Sequence, residues 1–246
     1  MLPLSIIAVA IGISLGLIGA GGAIVAVPAL VYIGGIEPRL ASGYALFMVA
    51  VASAIASSQH IRERRVDIPS VLAFGSTTIV SILLVRRFIA PLVPPTLQMI
   101  LFGIVLLVAA ARMLQSSSPP SETARHPMYL AVYGTIIGAI SGVLGVGGGF
   151  LMTPALVLWA GLDMKRAVAT SLVLISVNSA VGVAADMWAG TPYDWPLVLG
   201  FTGLTTLGIL SGMALSHRID GSTLRKGFGW VVLAIGLAVL VKEAVR

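Results

Sequence analysis

Apolar residues along this chain come in long runs. Pieces at about residues 3–18 and 23–35 are followed by runs near 42–59, 68–85 and 97–114; after a polar break they resume near 129–144, 149–161, 167–187, 195–215 and 227–243. Several approach the roughly 20 residues that carry a helix across a bilayer. None shows the short alternating segments of a lipid-facing barrel strand. The pattern predicts an all-α polytopic membrane protein. The first run has no Lys or Arg before it, which argues against a cleaved leader.

The order of the runs repeats. "GISLGLIGAGGAIVAVPALVYIGGIEPRLASGYAL" from Gly12 matches "GAISGVLGVGGGFLMTPALVLWAGLDMKRAVATSL" from Gly138 without a gap, 126 positions on. Gly16, Gly19, Gly21, Gly22, Pro28, Gly35, Ala41 and Leu46 all recur in that register. One residue of slip later, "VDIPSVLAF" from Val66 stands opposite "YDWPLVLGF" from Tyr193. The chain therefore divides into a first repeat (1–114), a polar linker (115–127, "QSSSPPSETARHP") and a second repeat (128–246). Each repeat reads as a glycine-broken helical pair followed by three spans.

Basic residues set the orientation. If each broken pair is one long crossing, Lys and Arg divide 7 and 8 between the sides; if it enters and returns as a hairpin, they divide 10 and 5. The hairpin gives a positive-inside bias, with Arg62, Arg64, Arg65, Arg112, Arg125, Lys165, Arg166, Arg218, Arg225 and Lys226 on the cytoplasmic side of a cell (inner) membrane. An odd number of net crossings per repeat makes the two copies inverted, a recurring architecture of secondary transporters.

The clustered glycines then acquire a purpose. Irregular backbone at membrane depth persists only when buried in protein or lining a wet cavity. Gly19, Gly21 and Gly22, with Gly145, Gly147, Gly148 and Gly149, are expected to turn the chain between two short helices. The following helix starts with unpaired N–H groups and a partial positive charge, and such a terminus binds anions. The outer glycines, Gly12 with Gly16 and Gly138 with Gly142, have the spacing of close helix packing, and Pro28 and Pro154 read as kinks.

Polar residues inside spans are few. Thr170, Ser171 and Asn178 are the candidates for substrate hydrogen bonds; Ser171 and Asn178 share a helix face with Gly182, whereas the matching face of the first copy carries Ala45 and Ala52. Glu37, Glu63, Asp67, Asp163, Asp194 and Asp220 all fall in or beside loops. Only Asp186, near the end of its run and matched by His60, reads as a candidate for proton coupling.

Composition adds exclusions. Hydrophobic residues make 58% of 246 and charged ones 10%, far from a soluble domain. The net charge of +6 lies in loop clusters rather than a nucleic-acid footprint. There is no cysteine, hence no disulfide or thiolate metal site. Motifs of ATP hydrolysis, zinc proteolysis and serine hydrolysis are absent; His60, His126 and His217 sit in separate loops with no metal spacing. No cofactor is expected, and no catalytic constellation supports a membrane enzyme.

The stretch "SGVLGVGGGFLMTPAL" followed by "AVATSL", with its fainter twin in the first half, resembles the TauE/SafE family of sulfite and sulfonate exporters, over nearly the whole chain. The first half departs at Ala23, in place of a third glycine, and at Tyr44-Ala45, in place of Thr-Ser. The resemblance implies secondary transport of small sulfur oxyanions or organosulfur anions, outward and coupled to protons, with Thr170 and Ser171 as the motif residues carried over. A passive anion channel or a non-transporting scaffold are the alternative readings.

Overall fold

The computed structural model describes residues 2–18, 26–27, 29–31, 33–89, 92–115, 127–144, 149–188, 190–216 and 218–244. They are all-helical: α1 (Leu2–Ile18), α2 (Pro38–Arg62), α3 (Ile68–Phe88), α4 (Pro95–Gln115), α5 (Pro127–Leu144), α6 (Gly149–Leu158), α7 (Met164–Trp188), α8 (Trp195–Ser216) and α9 (Gly221–Ala244). Six are long and apolar enough to cross a membrane: α2, α3, α4, α7, α8 and α9. Linker residues 116–126, Pro28 and the glycines at 19–22 and 145–148 lie outside the described residues.

The acidic residues that the sequence places beside loops have a definite task. Asp67, Asp163, Asp194 and Asp220 stand just before α3, α7, α8 and α9, and each carboxylate accepts a backbone N–H of the first turn: from Ser70 at 3.1 Å, Arg166 at 3.1 Å, Leu197 at 3.3 Å and Thr223 at 3.3 Å. Each satisfies a donor that the helix leaves unpaired. Pro38 and Pro69, at the starts of α2 and α3, need no such partner.

The turn that ends α6 has a twin in the first half. Trp159 and Ala160 donate to Ala155 O and Leu162 to Leu156 O; Ile33 and Gly34 donate to Ala29 O and Ile36 to Leu30 O. Both turns close through a left-handed glycine, Gly161 at φ 70° and Gly35 at φ 64°, a conformation that costs glycine nothing.

Helices pair across the halves. α1 lies along α8, and α5 lies along α3, with the same positions facing in both cases. A Cβ added at Gly12 would run into Thr205 O and one at Gly16 into Ile209 O; one at Gly138 would meet Thr78 O at 2.6 Å and one at Gly142 Ile82 O at 3.1 Å. Small residues let these backbones approach closely, as the outer-glycine spacing leads one to expect. The α1–α8 seam is glycine against glycine, because Gly208 and Gly212 answer in kind. The α3–α5 seam uses hydroxyls instead: Thr78 donates to Gly134 O at 3.1 Å and Ser81 to Thr135 O at 2.8 Å. In both pairs residue numbers rise together, so the partners run parallel.

Equivalent helices, by contrast, run antiparallel. Along α2 and α7, Gly43 lies by Asp186, Leu46 by Gly182 and Ala50 by Ser176. Along α4 and α9, Gly103 lies by Leu240 and Leu114 by Gly229. The α2–α7 pair is central: 61% of the apolar window of each is buried, against 28–33% for α3, α4 and α9. The larger buried cluster includes Met152 and Leu156 of α6 together with Leu172, Leu106 and Phe228. Outward faces carry bare apolar side chains such as Leu72, Leu207 and Trp230, as a lipid-facing surface does.

Candidate functional site

At ten residues α6 is about 15 Å long, roughly half the hydrocarbon core of a bilayer. Its N-terminal half lies against residues 171–178 of α7: Asn178 Nδ2 lies 3.9 Å from Met152 Sδ, and Thr153 Oγ1 donates to Ser171 Oγ at 2.8 Å. The Ser171 hydroxyl donates onward to Val168 O at 2.9 Å. Gly149 is the first residue of α6. The N-terminus of this half-length helix therefore lies alongside the central part of α7 rather than at its end, and the first amides of any helix have no partner within it and carry a partial positive charge. Pro154 is held inside α6, one turn in. The matching glycines Gly19, Gly21 and Gly22, and Gly145, Gly147 and Gly148, are outside the described residues.

Of the polar candidates, Ser171 and Asn178 share the face that meets α6, in line with their seven-residue spacing. Asn178 is 6% exposed, and its Oδ1 has no hydrogen-bond partner among the described residues. The side chain borders a cavity of about 20 Å³ shared with Ile79, Ile82 and Gly182, large enough for one water. Thr170 faces elsewhere. Its Oγ1 accepts the backbone N–H of Asp67 at 3.0 Å, next to an ion pair between Arg166 Nη2 and Asp67 Oδ1 at 2.9 Å. The hydroxyls of Ser53 and Ser57, in the first copy, return to their own helix at Val49 O and Ala54 O.

His60 is not in a loop, as its place in the sequence suggests; it occupies the last turn of α2 and is 3% exposed, with Nδ1 3.9 Å from Glu63 Oε2. Glu63 in turn pairs with Arg65 at 3.0 Å. Asp186, half-buried near the end of α7, sits by Gly43: a Cβ there would meet Tyr193 Oη at 2.9 Å and Asp186 Oδ2 at 3.4 Å. Since α2 and α7 are antiparallel, the two titratable groups lie at opposite ends of the pair and are not brought together. Among the described residues no three His, Asp or Glu gather as metal ligands would.

A sequence model of the sulfite exporter TauE/SafE family matches residues 4–239. The chain belongs to that family. It is a membrane transporter of TauE/SafE type, and three curated relatives carry matching names. A "probable membrane transporter protein" of Xylella fastidiosa is 25% identical across 94% of this chain and 91% of its own. The "probable membrane transporter protein YunE" of Bacillus subtilis is 26% identical across 89% and 90%. A counterpart in Methanocaldococcus jannaschii is 28% identical across 82% and 79%. No solved structure matches.

In this TauE/SafE chain, two residues that join helices are not marked as such by the sequence: Thr153, whose hydroxyl bonds α6 to α7, and Tyr44, whose Oη accepts the Asp194 N–H at 3.0 Å. A signal for Tyr44 is present all the same: it stands 126 positions before Thr170, as Asp67 stands 127 before Asp194. Nothing local marks Thr153, whose role depends on which helix lies beside it.

Proposed function

We propose that the protein is a secondary transporter of small anions, such as sulfite, sulfonates or other organosulfur anions, moving them outward across the cell (inner) membrane by alternating access. The observation that carries this reading is α6, a half-length helix whose N-terminal half is pinned against residues 171–178 of a membrane-long partner by Thr153–Ser171 and Met152–Asn178. Amides following Gly147, Gly148 and Gly149, and in the other copy those following Gly21 and Gly22, hold the anionic group; Ser171 and Asn178 supply selectivity. A buried helix terminus serves an anion better than a cation.

Two inverted repeats, 1–114 and 128–246 joined by 115–127, are part of the same proposal. In its support, α2 runs antiparallel to α7 and α4 to α9, although each pair is equivalent in sequence. A two-fold axis perpendicular to the helices, hence in the membrane plane, relates such copies. The Arg-rich end, with Arg62, Arg64, Arg65 and Arg166, faces the cytoplasm. His60 and Asp186, one near each end, are the proposed proton-coupling groups.

The test is flux in proteoliposomes with sulfite, thiosulfate, sulfonates and carboxylates, with and without a pH gradient. Saturable, selective flux that a proton gradient accelerates is expected. Selective flux blind to the gradient reassigns the protein as a channel, and indifference to every anion removes the proposal.

A further inference from the structure

Two hydrogen bonds that join the halves occupy equivalent positions. At the Arg-rich end the Asp67 N–H donates to Thr170 Oγ1 at 3.0 Å; at the other end the Asp194 N–H donates to Tyr44 Oη at 3.0 Å. Asp67 and Asp194 are equivalent in sequence, and so are Thr170 and Tyr44. In both, the donor is the residue that caps a long helix, α3 or α8, and the acceptor lies in the second turn of α7 or α2, in the opposite copy. Each donor is therefore fixed by its own cap, so the bond persists only while the two copies stay together at that end. Thr170 is fully buried and Tyr44 is 5% exposed.

We propose that these two bonds are the gates of the transport path, Thr170–Asp67 closing the cytoplasmic end and Tyr44–Asp194 the outer end. The inference rests on the alternating-access reading above. Both gates are closed here, which is an occluded arrangement. Each is one neutral hydrogen bond, shifting an opening equilibrium by about fivefold, strong enough to bias the end and weak enough to break within a cycle.

The gates share geometry and differ in reinforcement. The inner one is backed by charge, since Arg166 pairs with the same Asp67 at 2.9 Å. Leu40 occupies the position equivalent to Arg166, and a leucine cannot supply such a pair to the outer one. It is backed by rings instead: Tyr44 lies 5.5 Å from Tyr193, and Tyr193 stacks on Trp195 at 5.4 Å. Salt screens the first kind of support and leaves the second alone. The departure of the first copy from the Thr-Ser pattern at Tyr44 thus keeps the hydroxyl and changes what surrounds it.

The chain has no cysteine, so a single introduced thiol reports cleanly. Ala169→Cys and Ala45→Cys place reporters beside the inner and outer gates; both positions are buried. Labelling by a membrane-impermeant maleimide is read from each face separately, in cells and in inverted vesicles, without substrate. Thr170→Val is expected to raise labelling of the inner reporter about fivefold from the cytoplasmic face alone. Tyr44→Phe, which keeps the ring, is expected to do the same for the outer reporter from the outer face. Thr170→Ser restores the hydroxyl and is expected to return labelling to the starting rate, which separates gating from misfolding. Raised ionic strength is expected to speed inner labelling only. Equal rises from both faces, or no rise in protein that remains monodisperse, overturn the assignment. If labelling follows this pattern while wild-type protein moves no anion, the transport reading fails, and the two bonds stand only as one-sided closures with no part in transport. Anion flux without one-sided labelling removes the gates and leaves transport standing.

Discussion

Ser176 Oγ donates to Ala50 O at 3.5 Å, and these two residues are equivalent positions of the two halves, 126 apart. They sit at the middle of α7 and α2. In the proposed inverted-repeat, alternating-access scheme, a residue that touches its own equivalent lies on the axis relating the copies, and a contact there maps onto itself when the copies exchange conformations. Joining Ala50→Cys to Ser176→Cys by a disulfide should therefore leave flux close to the uncross-linked rate, measured before and after reduction. Loss of flux on oxidation, restored by reductant, would show that the two helices slide at this crossing.

Thr153 is the hydroxyl tether of α6. Thr153→Val removes the donor to Ser171 while Ser171 keeps Val168 O. A cost of about 1 kcal/mol in thermal stability is expected, with a several-fold rise in the anion concentration for half-maximal flux. Thr153→Ser should restore both. Unchanged half-saturation would detach α6 from binding.

Asn178 keeps a buried oxygen without a hydrogen-bond partner among the described residues, beside a cavity of about 20 Å³. Asn178→Leu exchanges that polar atom for a larger apolar side chain of the same branching and heavy-atom count, with the adjoining cavity to take up part of the excess. Stability in detergent should rise, by about 1–3 kcal/mol, and flux should fall. A stable variant with full flux would mean that the amide only joins helices.

Two glycines of α8 separate packing from propensity. A Cβ at Gly208 would strike Val9 O, whereas one at Gly200 meets nothing within 4 Å. Gly208→Ala should cost about 1–3 kcal/mol by overpacking. Gly200→Ala should be neutral or gain up to about 1 kcal/mol from helix propensity. Thermal unfolding of both variants checks this, and equal effects would remove the seam as a determinant.

Outside the spans, the Asp220 carboxyl is held below the usual carboxylate range, chiefly by the hydroxyl of Thr223. A depressed folded-state pKa means that this cap stabilises α9 above the ordinary carboxylate pKa and loses that effect as pH falls through the folded value. Thr223→Val should therefore flatten the acid limb of a stability–pH profile. A profile identical to the parent's would leave Asp220 without a share in it.

Much of this protein was legible in the order of its residues. The duplication, the six long spans, the short piece after Gly149 and the packing glycines follow from periodicity and from glycine's lack of a side chain, which act locally along the chain. Tertiary structure decided which hydroxyl faces which partner. Thr170, adjacent to Ser171, turns away from α6 to the Asp67 amide, because successive residues on a helix point about 100° apart and only the packing of the other copy says what lies in each direction. Tyr44 looked like a loss of the second copy's pattern and proved to keep its hydrogen bond, since that bond needs an oxygen at the right place and is indifferent to the carbon frame that carries it.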